Sequence, residues 1–313
     1  MTTAFVFPGQ GSQAVGMGRD LAEAFPAARH VFQEVDEALK QNLSKLMFEG
    51  PEDQLTLTEN AQPALMAVSL AVIAVLRGEG RLDLSKAASH VAGHSLGEYS
   101  ALAAAGTFSL ADTARLLKIR GQAMQKAVPV GQGAMAALLG LDFEQAREVA
   151  AAAAQGEVCT AANDNAPGQV VVSGHKAAIE RALAIAAEKG ARRSVLLPVS
   201  APFHCALMQP AADAMAEALA KVDMRDPLVP LIANVTAAPC TDAAMIREQL
   251  VEQVTGTVRW RESVLAMKGL GVDRLVELGA GKVLSGLAKR IDKEVAGTSV
   301  GTPADIEAFL KGV

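Results

Sequence analysis

The chain has 313 residues, half of them hydrophobic and a fifth charged, with a single Trp and a single Tyr. That composition lies well away from disordered chains, and the length accommodates two domains or one large domain with an insertion. A net charge of −5 excludes a globally basic nucleic-acid binder, because neutralising phosphates requires a basic face.

Residues 3–7 form an apolar run that stops at Pro8-Gly9, which predicts a buried strand entering a loop. The loop Pro8-Gly9-Gln10-Gly11-Ser12-Gln13 is rich in Gly and polar side chains but lacks the Gly-Lys-Ser/Thr ending of a phosphate cradle. Helices are expected around 18–24 and 27–39. Gln62-Pro63 then opens an apolar helix to about Arg77, Pro being tolerated in a first turn. Its apolar stretch, 64–76, is interrupted by Ser69 and falls short of the roughly 18 residues of a membrane span, so a buried helix is expected. Residues 87–92 read as a buried strand, 93–97 as a turn and 98–105 as a helix closed by Gly106. A long helix follows over 110–126.

Past Pro129 the pattern changes. A strand at 135–140, a helix at 143–154, strands at 158–162 and 169–173 joined through Asn163 to Gly168, a helix at 177–189 and a strand at 194–198 follow in turn. That β-α-β-β-α-β order is the ferredoxin-like pattern. It predicts a small subdomain, 130–198, inserted into a large α/β-hydrolase-like domain made from 1–129 and 199–313. The remainder reads as a helix at 208–221, the apolar 228–233, helices at 242–254 and 260–269, a strand at 274–278 and a helix at 283–291. Alternating strands and helices imply a mostly parallel sheet.

Gly93-His94-Ser95-Leu96-Gly97 is a G-x-S-x-G turn between an apolar strand and a helix, the context of a nucleophile elbow. Such a turn projects the Ser95 hydroxyl above a helix N-terminus, where free amides and the helix dipole favour developing negative charge. The plainer role for Ser95 is a helix N-cap. Among five histidines, His204 follows the serine in sequence on a loop after the insertion, as a base would, and becomes the better candidate once paired with an elbow serine. His90 and His94 lie too close to Ser95 in sequence to reach its hydroxyl easily and suit packing or loop roles. No orienting acid is recognisable; Asp164 lies between Ser95 and His204 but in the inserted region.

Phe7-Pro8-Gly9-Gln10-Gly11-Ser12-Gln13, Gly93 through Glu98, Arg120-Gly121, Asn163 through Gly174, His204-Cys205 and Glu277 through Leu284 together resemble the malonyl-CoA:acyl carrier protein transacylases over the full length. The resemblance implies that Ser95 attacks a malonyl thioester and His204 takes its proton. The backbone amides of Gln10 and Leu96 would form the oxyanion hole. Arg120 would pair with the free malonyl carboxylate. Gln253 would line the site and help hold His204, which this family orients through a main-chain carbonyl. Phe203 and Leu96 would flank the acyl pocket, with bulk that suits malonyl over methylmalonyl.

The chemistry is coherent apart from the resemblance, since a planar guanidinium meets a carboxylate bidentately and is left with an unpaired buried charge by an uncharged acyl group. On spacing alone Arg120 could equally lie on a solvated helix face with Arg115 and Lys118. The acceptor implied is the phosphopantetheine thiol of an acidic acyl carrier protein in fatty acid biosynthesis. Lys189, Arg192, Arg193, Lys282, Lys289, Arg290 and Lys293 are candidate docking groups, although cations at helix C-termini explain many of them as well. No cofactor or metal is expected, nor a nucleic-acid or membrane partner, and the family expectation is a monomer. Cys159, Cys205 and Cys240 form no CxxC pair, and the N-terminus has no basic leader, so a reducing cytoplasmic compartment is expected. A hydrolase passing the acyl group to water and a catalytically silent docking subunit are the rival readings.

Overall fold

The structure, a computed structural model, describes residues 1–311. Its strands are β1 (Thr3–Phe7), β2 (His90–Gly93), β3 (Gly133–Leu139), β4 (Cys159–Ala166), β5 (Gln169–His175), β6 (Arg193–Leu196), β7 (Leu231–Ile232), β8 (Pro239–Cys240), β9 (Arg274–Leu278) and β10 (Ala296–Val300). They form two sheets, one ordered β10-β9-β1-β2-β7-β8 and one ordered β4-β5-β3-β6.

In the larger sheet every neighbouring pair is parallel except β7 with β8. β1 lies at its middle, and Ala4, Phe5, Val6 and Phe7 are all fully buried. A parallel strand covered by helices on both faces needs a continuous apolar run rather than alternation, which is the pattern that begins the chain. One face carries the helix Thr58–Gly80, whose residues from Ala64 to Val68 have almost no exposure. This helix has the length and apolarity to cross a membrane, but it is mostly buried inside the fold. The opposite face carries Trp260, Val264, Met267, Leu284 and Leu287 from two later helices.

The smaller sheet is antiparallel throughout. Its strand order, with the helices Phe143–Ala154 and Lys176–Glu188 packed on one face over Leu138, Val149, Val170, Val172 and Ile179, is the ferredoxin-like arrangement.

Three local expectations are corrected. The apolar helix begins at Thr58, not at Gln62-Pro63, and Pro63 lies within it. Its start is fixed by the Leu57 carbonyl, which accepts from the amides of Asn60 and Ala61, and by buried partners for Thr58 and Gln62. The polar run Asn163 to Ala166, expected as a connection, continues β4 through two register shifts. It does so because a second neighbour completes its ladder: Asp164 N donates to the Val258 carbonyl, and Val258 N donates to that of Ala162. The chain also continues beyond 291 into β10 and the helix Pro303–Lys311, where no element was assigned from sequence.

Candidate active site

Parallel strands end their carbonyl-terminal edges at one side of the sheet, and connections there converge on a crevice. β1 leads into the loop from Pro8 to Gln13, β2 into Ser95 and β7 into Asn234. The turn after β2 is crowded. A Cβ on Gly93 would sit 1.9 Å from the Gly97 carbonyl carbon, and one on Gly97 would sit 2.2 Å from the Phe7 carbonyl oxygen. Only glycine allows this approach. Ser95, at the apex, takes φ of 53°, a left-handed conformation that persists in a non-glycine only where the surroundings hold it. Asn234 supplies that hold: its Oδ1 accepts from Ser95 N at 2.8 Å, and its Nδ2 donates to the Gly93 carbonyl at 2.7 Å.

His204 is also left-handed, with φ of 57°, and is buried. Its Nδ1 lies 2.9 Å from the carbonyl oxygen of Gln253. A carbonyl only accepts, so Nδ1 carries the proton, and Nε2 is free to accept from the Ser95 hydroxyl at 2.8 Å. Burial, reinforced by the charge of Arg120, depresses the His204 pKa to about 3. The imidazole is therefore neutral and able to take a proton.

Arg120 is 1% exposed. Its helix, Leu110–Ala127, crosses the helix Thr58–Gly80 closely at Gly121, where a Cβ would fall 2.5 Å from Glu59 Cα. The crossing brings Arg120 Nη1 to Gln62 Oε1 at 2.8 Å, and Nη2 to Gln253 Oε1 at 2.7 Å and Ser95 Oγ at 3.2 Å. Tyr99 lies under the guanidinium, 5.7 Å from ring centroid to Cζ. Among the described residues no carboxylate ion-pairs with Arg120 directly, and its direct partners are neutral. Burial lowers its pKa from the usual arginine value.

Gln253 stands at the centre. Besides receiving Arg120 and, at its carbonyl, His204, its Nε2 donates to the Ser95 carbonyl at 3.0 Å and to Glu98 Oε2. Among the described residues the amides of Gln10 and Leu96 have no acceptor, and Leu96 immediately precedes the helix Gly97–Ala104. The Gln10 side chain is fixed by Thr58 Oγ1, which donates to it at 3.0 Å. A cavity of about 770 Å³ opens above these groups, walled by Gln10, Leu96, Met124 and Phe203 from the larger part and by Met135, Asn163, Val171 and Leu197 from the smaller.

The structure thus gathers Ser95, His204, Arg120, Gln10, Leu96 and Phe203 around one cavity, whereas Gln253, expected to line it, is fully buried and stands behind them. Gln253 acts on the site through Arg120 and His204, which it contacts. Asp164 does not approach His204; it pairs with Arg261 at 2.8 Å. His94 is half-buried and borders the cavity, and its Nε2 lies 2.8 Å from Asn165 Oδ1, tying the elbow to β4. Asn234 and Gln62 went unread in the sequence. Their only local signals are an Asn directly after the apolar 228–233 and a Gln directly before Pro63. No cluster of metal-ligating side chains occurs among the described residues.

The acyl transferase domain profile matches residues 4–300. A malonyl CoA-acyl carrier protein transacylase of Bacillus subtilis is 46% identical over 309 residues, which covers 98% of this chain and 96% of that protein. The Escherichia coli K12 protein of the same name is 46% identical over 308 residues, covering 98% of each. Among solved structures, an acyl-carrier-protein S-malonyltransferase from Bartonella henselae is 59% identical with a TM-score of 0.97 over 100% of both chains. A malonyl-transacylase in complex with its type II PKS acyl-carrier protein is 43% identical, with a TM-score of 0.96 over 100% of both.

Proposed function

The chain belongs to the malonyl CoA-acyl carrier protein transacylases of the acyl transferase family, and on that premise we propose how its residues carry out the transfer. It moves a malonyl group from malonyl-CoA to the phosphopantetheine thiol of an acyl carrier protein, feeding fatty acid biosynthesis. The observation that carries the residue assignment is the convergence of three groups: a buried guanidinium 3.2 Å from a serine hydroxyl that is itself 2.8 Å from a neutral histidine.

Malonyl-CoA enters with its free carboxylate on Arg120 and its thioester carbonyl at Ser95. Ser95 Oγ attacks the carbonyl carbon while His204 Nε2 takes the hydroxyl proton. The negative charge on the carbonyl oxygen falls on the amides of Gln10 and Leu96, aided by the helix dipole behind Leu96. Collapse breaks the carbon–sulfur bond, and His204 returns the proton to the departing CoA sulfur. The carrier thiol then gives its proton to His204 and attacks the malonyl-serine ester, and the same steps run in reverse. Among the described residues no acid contacts His204; the Gln253 carbonyl holds its tautomer. The malonyl carboxylate also neutralises the Arg120 charge that weakens His204 as a base, so the correct acyl group improves the base as it binds.

Residues 130–198 are assigned as the small subdomain, with 1–129 and 199–313 as the large one. The acyl carrier protein partner fits the solved relative bound to its carrier. Of the candidate docking cations, Lys189 is engaged with Glu148, and Arg290 hydrogen-bonds Gln169, while Arg192, Arg193, Lys282, Lys289 and Lys293 are exposed. A monomer is the expectation for this family, and the three free cysteines suit a cytoplasmic setting.

Incubation with malonyl-CoA is expected to add one malonyl group by intact mass, with malonyl outcompeting methylmalonyl and acetyl thioesters. Equal labelling by acetyl-CoA would remove the Arg120 assignment.

A further inference from the structure

Glu98 is the buried carboxylate of the site that the reaction as written leaves unused. It is 1% exposed and begins the first turn of the helix behind Ser95. Its Oε2 accepts from Gln253 Nε2, and its Oε1 accepts from Asn234 N at 3.3 Å. Those two residues are the ones that hold His204 and the elbow. We propose, building on the transfer reading above, that Glu98 is a positioning residue: its carboxylate locks Gln253, and through the Gln253 carbonyl it locks the orientation of His204.

The lock is directional. The Gln253 amide spans an anion and a cation, with Nε2 on Glu98 and Oε1 on Arg120 Nη2. Turning the amide over would set its NH2 against the guanidinium and its oxygen against the carboxylate. The negative charge that usually touches a catalytic histidine is displaced here by one residue. It also answers a buried Arg120 whose direct contacts are neutral, a state that is costly without a nearby anion.

An ionised carboxylate accepts from both Gln253 and Asn234, whereas a protonated one turns one oxygen into a donor facing an N–H. Burial pushes the Glu98 pKa up to about 7, against the pull of Gln253, Asn234 and Arg120. The charged and titratable groups around it are Arg120 on the crossing helix, Tyr99 on its own helix, raised by burial, and His204 beyond Gln253. Protonation of Glu98 as pH falls through neutrality would therefore loosen Gln253 while His204 itself stays neutral.

The test is the rate of Ser95 acylation by malonyl-pantetheine, a donor without titrating phosphates, followed by quenched intact mass from about pH 5 to about pH 9 in the wild type and in Glu98→Gln. Measured at subsaturating donor, where the profile reports the free enzyme, the wild-type rate should rise with pH through an inflection near 7, since His204 in the unliganded site, at about 3, does not titrate in that window. Glu98→Gln should be at least about tenfold slower at the alkaline end and should lack the inflection. A variant with the wild-type rate, or one uniformly slower with the inflection retained, overturns the proposal. A flat wild-type profile overturns it too, whether or not the variant folds. If the wild type acquires no malonyl adduct at any pH, the transfer reading fails and takes this proposal with it.

Discussion

The two sheets of this molecule contribute unlike things to one cavity. The parallel sheet supplies Ser95 and the Gln10 loop from the ends of β2 and β1, with Asn234 from the end of β7 bracing Ser95, and the helices packed on it supply Arg120 and, behind it, Gln253. The antiparallel sheet supplies Met135, Asn163, Val171 and, just past β6, Leu197, which make a wall. The reason is geometric. Parallel strands deliver several turns and a helix N-terminus to one edge, so amides and charges converge there. Antiparallel strands return on themselves, offering a flat face of side chains with their polar backbone already paired.

The sharpest way to break this division is to compare substitutions on the two sides. Ser95→Ala should abolish the covalent malonyl adduct by intact mass and lower transfer by about 10⁴-fold or more. An adduct that persists would move the nucleophile elsewhere. Arg120→Ala should lower kcat/KM for malonyl transfer by about a hundredfold or more while acetyl transfer changes far less, because the buried carboxylate then has no partner. Equal losses for both donors would reduce Arg120 to a packing residue.

Smaller effects sharpen the comparison at the boundary. Phe203, 8% exposed, walls the cavity where the two parts meet. Phe203→Ala should raise the ratio of methylmalonyl to malonyl transfer by about tenfold in a competition assay, the worth of one extra methyl-sized space. Asn165→Ala cuts the one side-chain bond from β4 to His94. It should cost about 1 kcal/mol in urea unfolding and lower kcat only a few-fold. A loss as deep as that of Ser95→Ala would make the small sheet a participant in the chemistry.

Much of this was legible in the chain. The elbow was readable because Gly93 and Gly97 answer a local steric demand that any such turn makes, and its flanking strand and helix show their own periodicity. The β-α-β-β-α-β order gave the small sheet for the same reason. Asn163 to Ala166 misled, since its residues favour turns in isolation and become strand only when the segment at Val258 pairs with them. Pro63 misled as a helix start because the contacts that begin that helix earlier come from Gln10 and Arg120, far away in sequence.

Local pattern by itself therefore determined the layer architecture, the turn that bears Ser95, and a histidine of the right order in the chain. What tertiary structure decided was everything that depends on several segments meeting in a place without water. Arg120 is a solvated or a buried cation according to where its helix crosses another, and Gly121 sets that crossing. The orientation of His204 comes from a carbonyl 49 positions away, and the residue providing it is held by Glu98 and Arg120 from two other helices. Charge and proton affinity follow burial and neighbours, and these arise only when the chain has closed.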